Sequence, residues 1–258
     1  MKGIIKAQFF QIVRDKVVKG MFLVTLMMQV LVVMLPIWLD AEAATTAGEF
    51  FATQDGVTIS FPMFFLIVVT GQICGADFLD KTHNYELMIG HRRYEVYLGR
   101  VIPAMLIGGV GALLLTMLPI VIYASLYGWG TKVALGQVLL RWILMLFPFL
   151  RMVCEFAFLT FLIKNPYVVM GLGYVAFMVS TVLTGMIDSS SVFLGVTNLS
   201  LLLVVSKWTT YGLGDDINYI FDASLSGEMI GGTIVASAVF GLVALYLGYV
   251  FFKNDDMN

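Results

Sequence analysis

Arg151 and Glu155 stand four residues apart inside an otherwise apolar run, 139–163. A charge at the centre of a bilayer costs roughly 2.5–3.5 kcal/mol on insertion scales. At i, i+4 on a helix the two side chains share a face and neutralise each other, although Arg preceding Glu is the weaker order. The pair therefore has two readings. It is a polar patch on a translocation path or a dimer interface, or it is a lock between two helices.

The remaining reactive residue types do not assemble into a catalytic set. Cys74 and Cys154 both fall in apolar runs and read as small buried hydrophobes, not as a disulfide or metal pair. His83 and His91 lie in one polar segment and read as surface residues. Gly212-Leu-Gly-Asp215 matches the GxGD pattern of intramembrane aspartyl proteases. That chemistry needs a second carboxylate to share a proton, and no Tyr-Asp pair stands in an apolar run. Neither H-E-x-x-H nor G-x-S-x-G occurs. No covalent chemistry, metal or resident cofactor is expected of this chain.

Of 258 residues, 60% are hydrophobic and 12% charged, and mean hydropathy is +0.93. Soluble domains run nearer half apolar and a quarter charged, so the chain is expected to be an all-α membrane protein. A net charge of −2 offers no footprint for nucleic acid. The first 20 residues carry charge throughout and do not read as a cleavable signal peptide.

A crossing helix needs about 20 mostly apolar residues. Such runs occur near 21–39, 59–76, 101–127, 139–163, 167–187 and 230–252, which gives six spans in a single domain, 1–258. With the N-terminus inside, eleven of the fifteen Lys and Arg fall on inner segments and three on outer ones (Lys132, Arg141, Lys207). Basic residues favour the cytoplasmic side, so both termini are expected there. A further apolar run, 192–206, is short for a crossing and reads as short re-entrant or outer helices within a long outer loop, 188–229. Asp188, Asp215, Asp216, Asp222 and Glu228 make that loop acidic. Pro36, Pro103, Pro119 and Pro148 lie in or at the ends of spans, and Gly71 and Gly75 form a GxxxG. Small residues of this kind let helices approach closely in lipid.

Residues 1–20 read as an interfacial helix. On a helical wheel Ile5, Phe9, Phe10, Ile12, Val13 and Val17 share one broad face, and Gln8, Gln11, Arg14, Asp15 and Lys19 share the other. Such a helix lies in the headgroup plane with its basic groups toward anionic lipid.

The inner loop 77–93 joins spans two and three and mixes both signs of charge with apolar residues at helical spacing. Tyr85, Met88 and Ile89 form one face of a short helix that Gly90 ends. A second helix starts near Arg92 and runs into span three. A short, partly apolar helix on a cytosolic loop suits docking on another protein.

The order of residues in this loop is Asp77-Phe78, Asp80-Lys81-Thr82, Tyr85-Glu86-Leu87, Gly90-His91-Arg92-Arg93 and Tyr97-Leu98-Gly99-Arg100. It resembles the corresponding loop of the type-two (ABC-2-like) ABC export permeases, with Arg100 where that family commonly has Lys. Six spans, an amphipathic N-terminal helix and a long outer loop before the last span match the same family, and the layout is similar to its bacterial peptide, lantibiotic and drug exporters. The resemblance covers the chain in layout and residues 75–100 in motif.

The resemblance implies a permease in the bacterial plasma membrane, paired with a second copy or a homologue. Two separate ATPase subunits would bind ATP and Mg and dock on Asp80, Thr82, Tyr85, Glu86, Leu87, Met88, Arg92 and Arg93. The chain has no G-x-x-x-x-G-K-[ST] phosphate loop of its own, so an ATPase must be another polypeptide. The competing reading is a secondary transporter or channel that uses Arg151 and Glu155 as its coupling site; a sensor or immunity subunit is a third.

Overall fold

The computed structural model describes residues 2–38, 46–52, 56–79, 87–131, 134–186 and 227–254. Among these, every regular element is helical: α1 (Lys2–Arg14), α2 (Lys16–Trp38), α3 (Ala47–Ala52), α4 (Gly56–Leu79), α5 (Arg93–Ala104), a π-helical segment (Met105–Val110), α6 (Gly111–Tyr127), α7 (Leu135–Ile163), α8 (Pro166–Met186) and α9 (Gly227–Lys253).

Among the described residues, five stretches are long and apolar enough to cross a membrane: Lys16–Leu35, Ser60–Phe78, Arg93–Tyr127, Val138–Ile163 and Ile230–Lys253. The sixth expected span coincides with α8, 21 residues long, in which Pro166–Phe177 forms a shorter apolar helix. The outer faces show what solvent these helices meet. On α2, Leu23, Met27 and Leu31 recur at helical spacing and are 59%, 61% and 50% exposed. On α9, Val235, Leu242 and Tyr246 are exposed as well. Water does not tolerate contiguous apolar faces of this kind, whereas lipid does. The chain is a multi-pass helical membrane protein.

Helix α4 is the centre of the bundle. Met63, Leu66, Ile67 and Val69 are fully buried, and the helix packs against α2, α5, α6, α7 and α8. Its GxxxG turns toward the α7–α8 corner. A Cβ on Gly75 would lie 2.8 Å from Thr160 Cγ2 and 2.9 Å from Pro166 Cβ, so only glycine lets α4 and that corner meet. The corner itself is built locally. Lys164 ends α7 in the left-handed conformation, φ 57°. Asn165 Oδ1 then accepts from the backbone N–H of Tyr167 and Val168 at 3.1 and 3.3 Å. It caps α8, with Pro166 in the first helical position where its missing N–H is harmless.

Segments that the basic-residue bias assigns to one side meet at one end of the bundle: α1, the start of α5, the α7–α8 corner and the last turn of α9. At the opposite end α3 closes on the end of α6. There the Ala47 and Gly48 N–H groups donate to Gly128 and Trp129 carbonyls at 3.0 Å each, and Phe50 stacks on Tyr123.

Arg93–Tyr127 is 35 residues long, or about 52 Å at 1.5 Å per residue. That exceeds a hydrocarbon core of about 30 Å, so the helix is longer than an upright crossing requires. Its middle is the π segment, an arrangement common at functional sites.

Two sequence expectations are revised. Arg141, counted with the outer loops, lies inside α7 and is buried. Gln8, assigned to the polar face of α1, is 5% exposed, because it lies between Ile4 and Ile12 on the sector that turns to the protein, whereas Gln11, Arg14 and Lys19 of that face are exposed. The run 192–206 and the acids Asp188, Asp215, Asp216 and Asp222 lie outside the described residues.

Candidate functional site

The loop between α4 and α5 was the segment singled out by sequence. Asp80, Thr82, Tyr85 and Glu86 lie outside the described residues. The structure takes up the chain at Leu87, which packs against the core. Met88 and Ile89 are 73% and 78% exposed. Gly90 turns the chain with φ +100°, and its N–H donates to the Leu87 carbonyl at 3.1 Å. The short helix expected to end here falls mostly on residues outside those described.

Helix α5 starts at Arg93, one residue after the expected position. The Arg92 N–H donates to Glu95 Oε2 at 3.2 Å, which satisfies one donor of the first turn with a carboxylate that also suits the helix dipole. His91 Nδ1 lies 3.8 Å from the same carboxylate oxygen. Arg92 is exposed, whereas Arg93 reaches across to α9. Its Nη1 donates to the Lys253 carbonyl, and to that of Phe252 at 3.4 Å. A guanidinium there satisfies carbonyls that the end of α9 leaves open and complements its dipole.

One turn further, Tyr97, Gly99 and Arg100 each meet a different neighbour. The Tyr97 hydroxyl donates to the Leu245 carbonyl of α9 at 3.0 Å, and its ring packs 4.7 Å from that of Phe161 on α7. Gly99 faces α1, where a Cβ would stand 2.6 Å from Ile4 Cγ2. Arg100 faces α4. Its Nε and Nη2 lie 2.8 and 2.7 Å from Asp77 Oδ2, and its Nη1 donates to the Val96 carbonyl at 3.2 Å. Gln8 Nε2 of α1 donates to the same Asp77 oxygen at 3.3 Å.

A second polar strap ties the α1–α2 corner to α4. Asp15 Oδ1 accepts from the Val17 and Val18 N–H groups at 2.7 and 3.4 Å and so caps α2. Its Oδ2 accepts from Gln72 Nε2 at 3.1 Å. Helix α1 is thus held at Gln8 and at Asp15 by two points on one helix, Asp77 and Gln72. Ile4 and Ile12 are buried on the same side, while Phe10 and Val13 are 60% and 63% exposed on the opposite one.

Arg151 and Glu155 meet as their spacing requires, Nε to Oε1 at 2.7 Å. Their side chains are 14% and 35% exposed. The Arg151 guanidinium also sits 5.3 Å from the Phe240 ring centroid on α9, in cation–π range. The pair lies on the seam between α7 and α9, the most extensive helix contact described.

Among the described residues no cluster of His, Cys, Asp and Glu is placed to hold a metal. The residues that sequence reasoning missed are Gln8, Asp15 and Gln72, together with the direct role of Asp77 and Arg100. One signal was present. Asp77 ends one span and Arg100 opens the next, so a short inner loop brings two opposite charges to the same depth. No known protein family matches the chain, and no match to a curated protein is found.

Proposed function

We propose that the chain is the membrane permease of an ATP-driven exporter, with the loop 77–93 as the dock for a separate ATPase subunit. The observation that carries this reading is the pairing of two features in one segment. Met88 and Ile89 stand exposed beside His91 and Arg92, and the helix that follows is bonded to α9 and α4 and packs on α1. Exposed apolar residues on the polar end of a bundle suit a protein partner, and a rigid base beneath them lets such a partner act on the spans.

In this reading α2, α4, α5 with α6, α7, α8 and α9 are six spans, and both termini are cytoplasmic. Helix α1 lies at the inner lipid surface. A second permease copy or a homologue completes the pathway. ATP and Mg bind the partner, and the exported substrate is amphipathic or hydrophobic: a peptide, lantibiotic, drug or lipid-like molecule. The family resemblance of residues 75–100 supports the same assignment. The secondary-transporter reading rests on Arg151 and Glu155; their closure on each other and on Phe240 favours a helix lock.

The test is purification of the tagged protein from its host in mild detergent, with mass spectrometry of what accompanies it. A stoichiometric partner bearing a phosphate loop, lost in Met88→Asp/Ile89→Asp, is the expected result. No such partner across several detergents would sink the exporter and move the weight to Arg151 and Glu155.

A further inference from the structure

A loop pushed by a docked protein moves a bundle only if its two ends are fixed to it. The loop 80–92 leaves α4 just after Asp77 and joins α5 just before Tyr97 and Arg100. The Asp77–Arg100 contact therefore closes the base of the loop. Gln8, Asp77 and Arg100 are 5%, 6% and 1% exposed, so water does not compete for these bonds, and the low dielectric strengthens them. Three nitrogens converge on the single oxygen Asp77 Oδ2. Two of them belong to α5 and one to α1, so a single carboxylate of α4 holds both other helices. The missing side chain at Gly99 lets Ile4 seat beside this point.

We propose that Arg100 is a positioning residue which, with Asp77 and Gln8, forms a joint that passes displacement of the loop to α1 and α4 as one body. The source of the displacement rests on the exporter reading; the joint itself does not. Without Gln8 the loop still drags α4, because Asp77–Arg100 is intact, but α1 follows less closely, held to α4 only through the Asp15–Gln72 strap. Without Asp77 or Arg100 both connections fail.

The experiment uses the full chain in nanodiscs, with whatever ATPase co-purifies. Spin labels go on Val13→Cys in α1, His91→Cys in the loop and Leu126→Cys at the far end, taken in pairs. All three positions are exposed, and the native Cys74 and Cys154 are buried. In the unmodified joint the 13–91 distance distribution is expected to be narrow. Asp77→Asn, Arg100→Gln and Gln8→Leu should each widen it roughly twofold as α1 loosens locally. The charge swap Asp77→Arg/Arg100→Asp should narrow it again. Gln8→Leu keeps the ion pair, so it decides the matter if the charge variants do not fold.

With ATP, Mg and vanadate, the 91–126 and 13–126 distances should shift together in the unmodified joint, whereas in Gln8→Leu the 13–126 shift should be clearly smaller than the 91–126 shift, the Asp15–Gln72 strap alone carrying it. A 13–91 distribution unchanged in Gln8→Leu would overturn the joint. A 13–126 shift undiminished in Gln8→Leu would overturn its role in transmission. If no ATPase co-purifies and no distance responds to ATP, the exporter reading fails, while the 13–91 widths still decide the joint.

Discussion

Asp77→Ala should be among the most destabilising single changes in this protein. Arg100 opposite it has a side chain 1% exposed, and Asp77 itself is 9% exposed at the side chain. Removing the carboxylate leaves a guanidinium buried without that counter-charge, and Gln8 loses its acceptor as well. Breaking a buried pair from one side costs about 3–5 kcal/mol. Removing both charges is a different perturbation. Asp77→Leu/Arg100→Met fills the same space with apolar groups, and such replacements are neutral or stabilising by roughly 1–4 kcal/mol. The double variant should therefore be far more stable than Asp77→Ala or Arg100→Ala. Reversible unfolding by SDS in mixed micelles, followed by tryptophan fluorescence, measures all four proteins on one scale. Single-variant losses of only about 1 kcal/mol would mean a solvated pair and refute the burial on which the magnitude rests. The same series separates stability from mechanism. If the pair is only structural, the stable apolar double variant transports normally; if it is a joint, that variant folds and does not.

Three further outcomes follow from named contacts. Gly99→Val puts a branched side chain where a Cβ alone would be 2.6 Å from Ile4 Cγ2; overpacking of this kind costs about 1–3 kcal/mol, and Ile4→Ala should recover most of it, read as amide exchange protection across α1. The Thr70 hydroxyl is fully buried with no hydrogen-bond partner among the described residues, and burying an unpaired hydroxyl costs about 1–3 kcal/mol by mutational data, so Thr70→Val should be neutral or stabilising in the same SDS assay. Glu155→Gln leaves Arg151 charged in mid-span, a burden of up to roughly 2.5–3.5 kcal/mol, and should lower the amount of protein in the membrane; Phe240→Leu removes only the cation–π contact, worth about 0.5–1 kcal/mol. Normal amounts of Glu155→Gln protein with transport abolished would instead make the pair part of the pathway.

The spans were legible in the sequence because hydropathy over about 20 residues is a local property. Gly90, the start of α5 near Arg92 and the i, i+4 pairing of Arg151 with Glu155 were legible for the same reason. The joint was not, because its partners are 23 and 69 residues apart and local pattern says nothing of distant pairing. The π segment left only the pair Gly108-Gly109 as a trace, and glycine pairs are common in membrane helices. Arg141 was misplaced because a boundary judged from hydropathy is uncertain by a turn, and a long basic side chain near a span end reads equally well as loop.

The misplacing of Gln8 on α1 has the most general cause. A helical wheel separates apolar from polar residues, and in a soluble protein the apolar side is the protein side. At a membrane surface both lipid and protein accept apolar residues, so the wheel has two apolar sectors and no means of telling them apart. Ile4 and Ile12 turn to the bundle, where α1 packs against α5, whereas Phe10 and Val13 turn away. The inner sector is recognised by the residue that does not fit it. Gln8 lies between Ile4 and Ile12 at i, i+4 spacing, and a polar side chain buried there needs a partner. Asp77 supplies one, and Arg100 supplies the charge that lets Asp77 stay buried. A glutamine set among isoleucines on an amphipathic helix therefore marks the face that binds protein, and it makes α1 a working part of the bundle rather than an anchor beside it.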